Sequence, residues 1–480
     1  MTADVGPYST ATEMLTALRS KVISSRELVE LHVQRIEERD GPLNAIPVRT
    51  FDRARDAAAR ADQARAAGED APLLGLPVTL KESTQTAGLP QSAGIEPFKD
   101  YRPANDGPIA RDVFAAGACL LGKTNIPVAL GDWQADSPVY GRSSNPWDIE
   151  RTPGGSTGGG AAALAAGMTP LEIGSDIGGS IRVPAAYCGL YGHRPSETAV
   201  PRAGAFPLAD VENPAFVMGV QGPLARSATD VELLFDIVAG PGLGEDAGWV
   251  LQLPQARGEE LSDLRVAIMP MLDLVQPSAE MGAKVDELAA FLGKAGATVG
   301  EAMPDLDHRA YLDDYLTLLT VLTSIGDSSE ERAAQAAKLT ARDAANAPMA
   351  AGLTLDAAGF IMLLARRETA RAAWRSFFTE WDVLVCPTAL DSAFTHQTGP
   401  QGARTLPING QEVPYTMNIV YPMWAIYTGQ PATAFPAGLS SAGLPLGLQA
   451  IGPYLEDRTT IRFAQLIERE WYRFEPPPGY

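Results

Sequence analysis

The spacing of apolar residues predicts helices in the first part of the chain. Between residues 12 and 40, apolar side chains recur at a mostly helical period among charged ones, and Ser24-Ser25-Arg26-Glu27 is typical of a helix start. Residues 53–67, which are rich in Ala, Arg and Asp, predict another helix that ends at Gly68. The chain therefore begins with an amphipathic α-hairpin and a third helix.

Short apolar runs that follow these helices predict buried strands. Residues 76–80 form one such run, which ends at Lys81, and residues 119–121 and 171–173 form two others. An amphipathic helix is predicted over residues 229–238. Strands that alternate with helices and glycine-rich turns predict the α/β class with a mixed sheet.

The second half of the chain has a different character. A stretch rich in Gly, Pro and acidic residues spans 240–260, and a further strand is predicted to start at Leu264. Residues 279–380 are Ala-rich and predict almost only helix. Residues 386–453 return to strands and loops dense in Pro and Gly, and residues 457–471 predict a closing helix.

The charge balance argues against two classes of partner. The chain has 38 Lys and Arg residues against 58 Asp and Glu residues, a net charge of −20. Such a field repels phosphate backbones and anionic lipid surfaces, so we expect no nucleic acid and no membrane as partners. The one long apolar stretch, residues 158–168, is mostly Gly and Ala and short for a membrane span, so a buried helix is expected there.

The cysteines, histidines and first residues predict a cytoplasmic protein without a metal. Cys119, Cys188 and Cys386 lie far apart in apolar surroundings, which favours buried, reduced thiols. The four His residues are dispersed, so no metal site is expected. Residues 1–7 lack the basic start and the apolar core of a secretory signal.

A phosphate-loop pattern occurs in an unsuitable context. Gly117-Ala-Cys-Leu-Leu-Gly122-Lys123-Thr124 fits the pattern G-x-x-x-x-G-K-T. Its interior favours a buried strand, however, and Pro127 prevents the helix that a phosphate loop requires. We interpret this segment as structural.

A nucleophile-elbow pattern is also present. Gly154-Gly-Ser156-Thr-Gly158 fits G-x-S-x-G, and His193, His308 or His396 could complete a triad. The elbow needs a strand directly before the serine, whereas residues 145–153 are irregular and contain two prolines. The elbow is therefore the weaker interpretation of this motif.

Three motifs in a fixed order carry the clearest chemical signal. Lys81 ends the run Gly75-Leu-Pro-Val-Thr-Leu, Ser156 lies in Pro153-Gly-Gly-Ser-Thr-Gly-Gly-Gly160, and Ser180 lies in Gly174-Ser-Asp-Ile-Gly-Gly-Ser-Ile-Arg-Val-Pro184. With the flanking pieces Gly122-Lys-Thr-Asn125 and Asn145-Pro-Trp-Asp148, the set resembles the amidase-signature family over about residues 74–230. A weaker similarity follows at residues 443–449.

The resemblance implies one domain over residues 1–480, with an α/β/α fold in which helices flank a mixed twisted sheet. The core motifs occupy residues 74–230. A variable, mainly helical region at about 255–380 is expected to cover the active site. Closing strands and a helix are expected at about 386–472.

The resemblance also assigns a mechanism without a metal or organic cofactor. It makes Ser180 the nucleophile, Ser156 the proton relay and Lys81 the base, and it implies a cis peptide between Gly155 and Ser156. A lysine can act as a base only when neutral, so the pKa of Lys81 must fall by roughly 3 units, for which the apolar run before it provides a desolvating wall. The sequence departs from many members at three positions, which are Glu82, Thr157 and Gly160; Thr157 keeps a hydroxyl where a second serine is common.

The glycines before Ser180 suit an oxyanion-binding loop. They allow successive N–H groups to converge, and the short helix predicted after Ser180 favours negative charge at its start. The resemblance assigns the donors to the backbone of Ile177, Gly178, Gly179 and Ser180. Asp176 and Arg182 are expected to brace the loop, and His193 is expected to pack or hydrogen-bond.

Aromatic residues predict an apolar substrate pocket. Tyr421 and Trp424 lie in a segment rich in aromatic residues and Met, residues 417–427, and Trp133 lies between the lysine and serine motifs. Core packing in a buried strand is the alternative for residues 417–427. We expect a small-molecule amide or carbamate as substrate, with aryl or alkyl amides and anilides preferred over glutamine.

Two other functions share these motifs. One is an ammonia-supplying subunit of an aminoacyl-tRNA amidotransferase, which the net charge of −20 disfavours. The other is a non-catalytic homologue that only binds, which the intact Lys81, Ser156 and Ser180 disfavour. The sequence leaves open whether the chain forms a homodimer.

Overall fold

Helices and strands alternate along the chain, which is described for residues 5–208, 213 and 215–480 in a computed structural model. The strands are β1 (Val48–Arg49), β2 (Pro77–Lys81), β3 (Cys119–Thr124), β4 (Asp136–Ser137), β5 (Gly141–Arg142), β6 (Leu171–Asp176), β7 (Tyr191–Arg194), β8 (Val220–Ala225), β9 (Arg265–Ile268), β10 (Thr298–Glu301), β11 (Val383–Pro387), β12 (Thr405–Ile408), β13 (Gln411–Pro414), β14 (Ala432–Leu439) and β15 (Pro445–Ile451). The helices are α1 (Ala11–Arg19), α2 (Ser25–Arg39), α3 (Phe51–Ala66), α4 (Pro108–Ala115), α5 (Gly158–Ala165), α6 (Arg182–Cys188), α7 (Ala228–Val238), α8 (Ala279–Lys294), α9 (His308–Thr323), α10 (Ser329–Arg342), α11 (Ala347–Thr354), α12 (Ala357–Glu380), α13 (Met423–Ile426) and α14 (Asp457–Glu470).

One large mixed sheet organises these elements. Within the described ranges it has eleven strands in the order β1-β3-β2-β6-β8-β7-β14-β15-β11-β9-β10. Strands β3, β2 and β6 are parallel, as are β11, β9 and β10, whereas the pairs between β6 and β11 are antiparallel. The strands of the closing region therefore share the sheet with those of the core motifs, and the predicted mixed α/β sheet is confirmed.

Strand alternation sorts side chains between two layers of helices. Successive side chains of a strand point to opposite faces. Val78 and Leu80 of β2 pack in an apolar cluster with α1, α4, α7, α8 and α14. Thr79 and Lys81 therefore point to the other face, where α2, α3 and α5 share an apolar cluster with β3. Lys81 is thus carried on the buried face of a central strand.

Most of the predicted elements are present within one or two residues of their predicted bounds. The α-hairpin is formed by α1 and α2, both of which start with a capping box. The phosphate-loop pattern is strand β3, as its apolar interior predicted, and the Gly/Ala stretch contains the fully buried helix α5. The three cysteines are free and buried, also as predicted.

Two predictions are corrected by the structure. Residues 279–380 are not almost wholly helical, because β10 pairs in parallel with β9 and extends the sheet edge. Residues 417–427 do not form a buried strand but continue a 3-10 helix (Tyr415–Ile419) into the short helix α13. In both places a short element takes its conformation from its neighbours.

No single helix in the described ranges is long and apolar enough to cross a membrane. The segments Ala344–Thr354 and Ala357–Glu380 are long and apolar enough only when taken together, and the chain bends by 116° between them.

Candidate active site

Lys81 ends strand β2 and is completely buried. Its Nζ atom lies 2.7 Å from Ser156 Oγ, 2.9 Å from Ser175 Oγ and 3.0 Å from Thr157 Oγ1. A neutral amine has two N–H groups and one lone pair, so it can donate to two of these hydroxyls and accept from the third. The geometry therefore suits a lysine that exchanges a proton with a serine.

Burial lowers the pKa of the Lys81 amine from its usual value of 10.5 to about 7, although Glu172 and Asp176 act in the opposite direction. Desolvation disfavours the charged form of a buried amine, and this effect outweighs the two nearby carboxylates. A substantial fraction of Lys81 is therefore neutral near neutral pH. The drop agrees with the fall of roughly 3 units that a lysine base requires.

Ser156 precedes helix α5 and is 1% exposed. The Gly155–Ser156 peptide is cis, as the family resemblance implied. A side chain at Gly155 would clash with the backbone, because a Cβ atom there would lie 2.2 Å from the carbonyl oxygen of Asp132. The segment before Ser156 is irregular, so the strand that a nucleophile elbow requires is not there.

Ser180 lies between β6 and α6 and is 6% exposed, more than Lys81 or Ser156. The backbone N–H of Thr157 donates to the carbonyl of Ser180 over 3.2 Å, which holds the two serine motifs side by side. In the part of the chain that the structure describes, no hydrogen bond joins the hydroxyls of Ser156 and Ser180. Ser180 is thus the most accessible of the three predicted catalytic side chains.

Side-chain donors hold the carbonyls of the loop before Ser180. Arg194 donates to the carbonyl of Asp176 over 2.8 Å, Tyr315 donates to that of Ile177 over 3.1 Å, and the Trp133 indole donates to that of Gly178 over 2.9 Å. In a trans peptide the N–H points opposite to the C=O of the same plane. Fixing three carbonyls therefore also fixes the N–H groups of the residues that follow them.

Asp176 braces the same loop, as predicted. Its carboxylate accepts from the guanidinium of Arg182 at 3.0 and 3.1 Å and from the N–H groups of Gly179 and Ile181 at 3.1 and 3.2 Å. Burial opposes the charge, but Arg182 and Arg194 hold the pKa of Asp176 at about 2. Since the Gly179 N–H already donates to Asp176, the predicted donors without such a bond are Ile177, Gly178 and Ser180.

The predicted aromatic residues lie in two different environments. Trp133 is half-buried beside the loop and packs against Tyr415, with ring centroids 5.3 Å apart. Trp424 is fully buried and stacks on Tyr311 at 4.6 Å, and Tyr421 is 3% exposed. Tyr421 and Trp424 belong to one apolar cluster, and the half-buried side chains packed against it include Trp133, Ile177, Phe216 and Met417. These four side chains are partly exposed and can present a surface to a ligand, whereas Tyr421 and Trp424 are buried.

A cleft of about 400 Å³ adjoins the loop that carries Trp133. Asp132, Gln134 and Arg404 are among its lining residues, and Arg404 forms an ion pair with Asp132 at 2.6 Å. The backbone of Asp132 also contacts Gly155, next to Ser156. The cleft therefore adjoins the residue that contacts Gly155, and both polar and apolar groups line it.

Two other predicted positions have structural roles. His193 is buried and contacts Thr433 and Asp457 at 2.9 and 3.1 Å, as its hydrogen-bonding role predicted. Glu82 is buried, and its carboxylate accepts hydrogen bonds from Ser92, Ala93 and Tyr140. No group of three His, Cys, Asp or Glu side chains with metal-ligand spacing occurs within the described ranges.

The structure also adds residues that the motifs did not assign. Ser175 is a third hydroxyl partner of Lys81, and Tyr315 reaches the loop from α9, far away in sequence. Glu172 is a buried carboxyl near Lys81. A glutamate inside the apolar run Leu171-Glu172-Ile173 is an unusual pattern that could have identified it, whereas no local pattern identifies Tyr315.

Comparison with known proteins gives consistent matches. The family model described as Amidase matches residues 27–461. The chain is 33% identical to the putative amidase AmiB2 of Mycobacterium tuberculosis, over 98% of each chain. It is 30% identical to a glutamyl-tRNA(Gln) amidotransferase subunit of a Synechococcus strain, over 96% of each.

A solved structure gives the same result. A bacterial aryl acylamidase of the amidase-signature family superposes with a TM-score of 0.80 and is 25% identical, over 98% of this chain and 99% of that one. Sequence and fold agree over nearly the whole length. The chain therefore belongs to the amidase-signature family and is an amide-hydrolysing enzyme that acts on C–N bonds.

Proposed function

We propose that the enzyme hydrolyses non-peptide C–N acyl bonds through an acyl-enzyme, with Ser180 as nucleophile, Ser156 as proton relay and Lys81 as base. The observation that carries the proposal is the buried Lys81 amine, whose pKa is about 7 and whose Nζ lies 2.7 Å from Ser156 Oγ. A base with a pKa near the working pH combines availability with driving force for proton transfer.

The proposed acylation step combines the Lys81–Ser156 contact with a proton transfer from Ser180 to Ser156. Ser180 Oγ attacks the substrate carbonyl carbon and gives its proton to Ser156, whose own proton passes to neutral Lys81. Lys81 then returns a proton through Ser156 to the leaving nitrogen as the C–N bond breaks. Water hydrolyses the resulting ester by the same route in reverse, which regenerates Ser180.

The oxyanion that forms during attack needs fixed donors. We assign them to the N–H groups of Ile177, Gly178 and Ser180, with the Gly179 N–H acting on Asp176 to hold the loop. The N–H groups of Ile177 and Gly178 need no reorganisation during the reaction, because Arg194 and Tyr315 hold the preceding carbonyls of Asp176 and Ile177. Loss of one such donor typically costs about 3 kcal/mol of transition-state stabilisation.

For the substrate, we propose an aryl or alkyl amide, an anilide or an aryl carbamate. The half-buried side chains beside the loop are apolar and two of them are aromatic, which suits an apolar acyl or amine group. A carbamate retains the attacked carbonyl and the departing nitrogen, so the same steps apply. One solved structure similar to this chain is a bacterial aryl acylamidase, which supports this substrate class.

The proposal predicts the order of activities in a substrate panel. The purified chain should hydrolyse an acyl anilide and an N-aryl carbamate with a kcat/KM at least about 10-fold above that for glutamine, since each apolar group that is buried contributes roughly 1 to 3 kcal/mol. A preference for glutamine would contradict the proposed substrate class.

Variants of Trp133 distinguish its hydrogen bond to the Gly178 carbonyl from its proposed contact with the substrate. Trp133→Phe keeps the ring but loses the hydrogen bond to Gly178, so it should lower kcat for all substrates alike. Trp133→Ala should also reduce the preference for aryl over small alkyl substrates. Equal selectivity in both variants and the wild type would remove Trp133 from the substrate pocket.

Trp424 serves as the buried comparison. Because it is fully buried against Tyr311, Trp424→Ala should lower the free energy of unfolding by about 3 to 5 kcal/mol. Chemical denaturation measures this loss. A stable Trp424→Ala variant with altered selectivity would instead support Trp424 as a pocket wall, as the sequence first suggested.

The alternative function is the ammonia-supplying subunit of an aminoacyl-tRNA amidotransferase. The 30% identity to one amidotransferase subunit over almost the full length favours it, whereas the net charge of −20 disfavours close handling of tRNA. The substrate panel distinguishes the two, since an ammonia-supplying protein would favour glutamine.

A further inference from the structure

Glu172 and Gly160 form a matched pair beside the lysine. A Cβ atom at Gly160 would lie 2.6 Å from the carboxyl carbon and from Oε1 of Glu172, so any larger residue at position 160 would displace this carboxyl group. Gly160 is also one of the positions where the sequence departs from many family members. The space that the missing side chain leaves is occupied by a buried carboxyl group.

The register of the sheet directs Glu172 towards Lys81. In the parallel pair of β2 and β6, Thr79 is the partner of Glu172, and Lys81 lies two residues further along the same face. Thr124 of β3 donates to Glu172 Oε1 over 2.6 Å. Glu172 Oε2 is buried and has no hydrogen-bond partner within the described ranges.

Few charges act on this pair. Lys81 is the only charged group that influences Glu172 among the described residues, because β8 and α5 present apolar side chains to it. Lys81 itself is influenced by Glu172 and by Asp176, and the charge of Asp176 is balanced by Arg182 and Arg194. Among the residues that the structure describes, Glu172 is therefore the carboxyl group next to the proposed base whose charge no arginine balances.

We propose that Glu172 is a positioning residue of the amidase reaction, whose carboxyl group, admitted by Gly160, sets the charge that Lys81 carries when Ser180 attacks. This inference rests on the proposed role of Lys81 as base. It adds a fourth ionisable group that touches neither substrate nor the reacting atoms and acts only through the lysine.

One proton can be shared between the two groups in two ways. With the proton on Lys81 the pair is an ammonium and a carboxylate, and with the proton on Glu172 it is an amine and a carboxylic acid, so both arrangements have the same net charge. Only the second offers a base. Burial raises the pKa of Glu172 to about 7, close to that of Lys81, so neither arrangement dominates and the pair titrates as a unit.

Replacing the carboxyl group should move the pH profile in a defined direction. The negative charge of Glu172 favours protonated Lys81, so Glu172→Gln should make Lys81 neutral at lower pH. The inactivation rate by a fluorophosphonate reports the reactivity of Ser180 without knowledge of the natural substrate. We expect the acid limb of its pH profile to move down by about 1 pH unit in Glu172→Gln.

A second variant acts on the same group in a milder way. Thr124→Val removes one donor that favours the carboxylate of Glu172, so it should move the acid limb in the same direction by a smaller amount. Valine keeps the shape of the threonine side chain. If Glu172→Gln does not fold, the pH profile of Thr124→Val is measured in its place. A limb unchanged in whichever of the two variants folds would overturn the inference.

Two further variants complete the design. Glu468→Gln removes another buried carboxyl group, whose pKa burial also raises to about 7 but which accepts from Ala228 in the α7 layer, so the limb should not move. An equal shift in this control would also overturn the inference.

Lys81→Ala tests the proposed function separately. If Lys81→Ala is inactive and the acid limb does not move in Glu172→Gln, only the role of Glu172 is refuted. If Lys81→Ala is active, the mechanism itself is refuted.

Discussion

Ser180→Ala should lower kcat/KM for every amide substrate by at least about 10⁴-fold, because the variant has no atom that can form the acyl-enzyme. The loss should arise from chemistry and not from the fold. The loop is held by Arg194, Tyr315, Trp133 and Asp176, none of which bonds to the Ser180 hydroxyl. The free energy of unfolding should therefore change by less than about 1 kcal/mol.

Covalent labelling identifies the nucleophile directly. A fluorophosphonate should label Ser180 in the wild type, as shown by peptide mapping, and should not label Ser180→Ala. Ser175→Ala is the matched control, since it also removes a hydroxyl near Lys81 but leaves the nucleophile, and it should keep most of the labelling rate. Labelling of Ser156 in the wild type would instead favour the nucleophile-elbow interpretation.

The parts of the site that could be predicted are those that local sequence encodes. A strand that ends in lysine, and glycine-rich segments around two serines, have conformations set largely by neighbouring residues. The placement of Lys81 next to Ser156 then follows from strand β2 and helix α5 lying together. The grouping of Lys81 with both serine segments in one proposed site came from the resemblance of the ordered motifs to the amidase-signature family.

The parts that could not be predicted depend on distant packing. Tyr315 donates to Ile177 from a helix that carries no motif, and its position follows from how α9 packs on the rest of the molecule. Trp424 was a candidate pocket residue, with core packing of its segment as the alternative, and its stacking on Tyr311 depends on the same helix. Strand β10 has only four residues, and its pairing with β9 outweighs the weak preference of the local sequence for a helix.

The role of Gly160 could be predicted only in part from the sequence. Gly160 could be recognised as a departure from the family, but its reason became clear only with the Glu172 carboxyl group in the space beside it. The two residues are on different elements, α5 and β6, and neither explains the other in sequence. A local departure thus indicated a non-local pair.

Lys81→Met should abolish activity and at the same time raise stability near pH 7. Burial holds the pKa of Lys81 at about 7 in the folded enzyme, whereas an unfolded lysine titrates near 10.4. This difference costs the folded state about 4 kcal/mol at and below pH 7. Methionine has a similar length and no charge, but it removes the lysine partner of the Ser156 and Ser175 hydroxyls and leaves Thr157 Oγ1 only the N–H of Ser175. A net gain of about 1 to 3 kcal/mol is therefore expected.

The pH dependence makes this prediction specific. Between about pH 7 and 10 the unfolded chain binds more protons at Lys81 than the folded one, so the wild type gains stability as pH rises through this window. The advantage of Lys81→Met should therefore shrink over the same range. Denaturant unfolding at several pH values measures it, together with kcat/KM, which should fall by at least about 10³-fold.

Lys123→Met separates the loss of a buried charge from the loss of the base. Lys123 is also buried, and burial lowers its pKa to about 8, but it lies on β3 and donates to the carbonyl of Pro90, away from the serines. Its replacement should change stability in the same pH-dependent way and leave the acid limb of the activity profile in place. Two outcomes would show that Lys81 is an ordinary structural lysine: an active Lys81→Met variant, or a variant that is less stable than the wild type at both pH 7 and pH 10. A base that burial keeps neutral should instead lower the free energy of unfolding of the wild type at pH 7 and much less at pH 10.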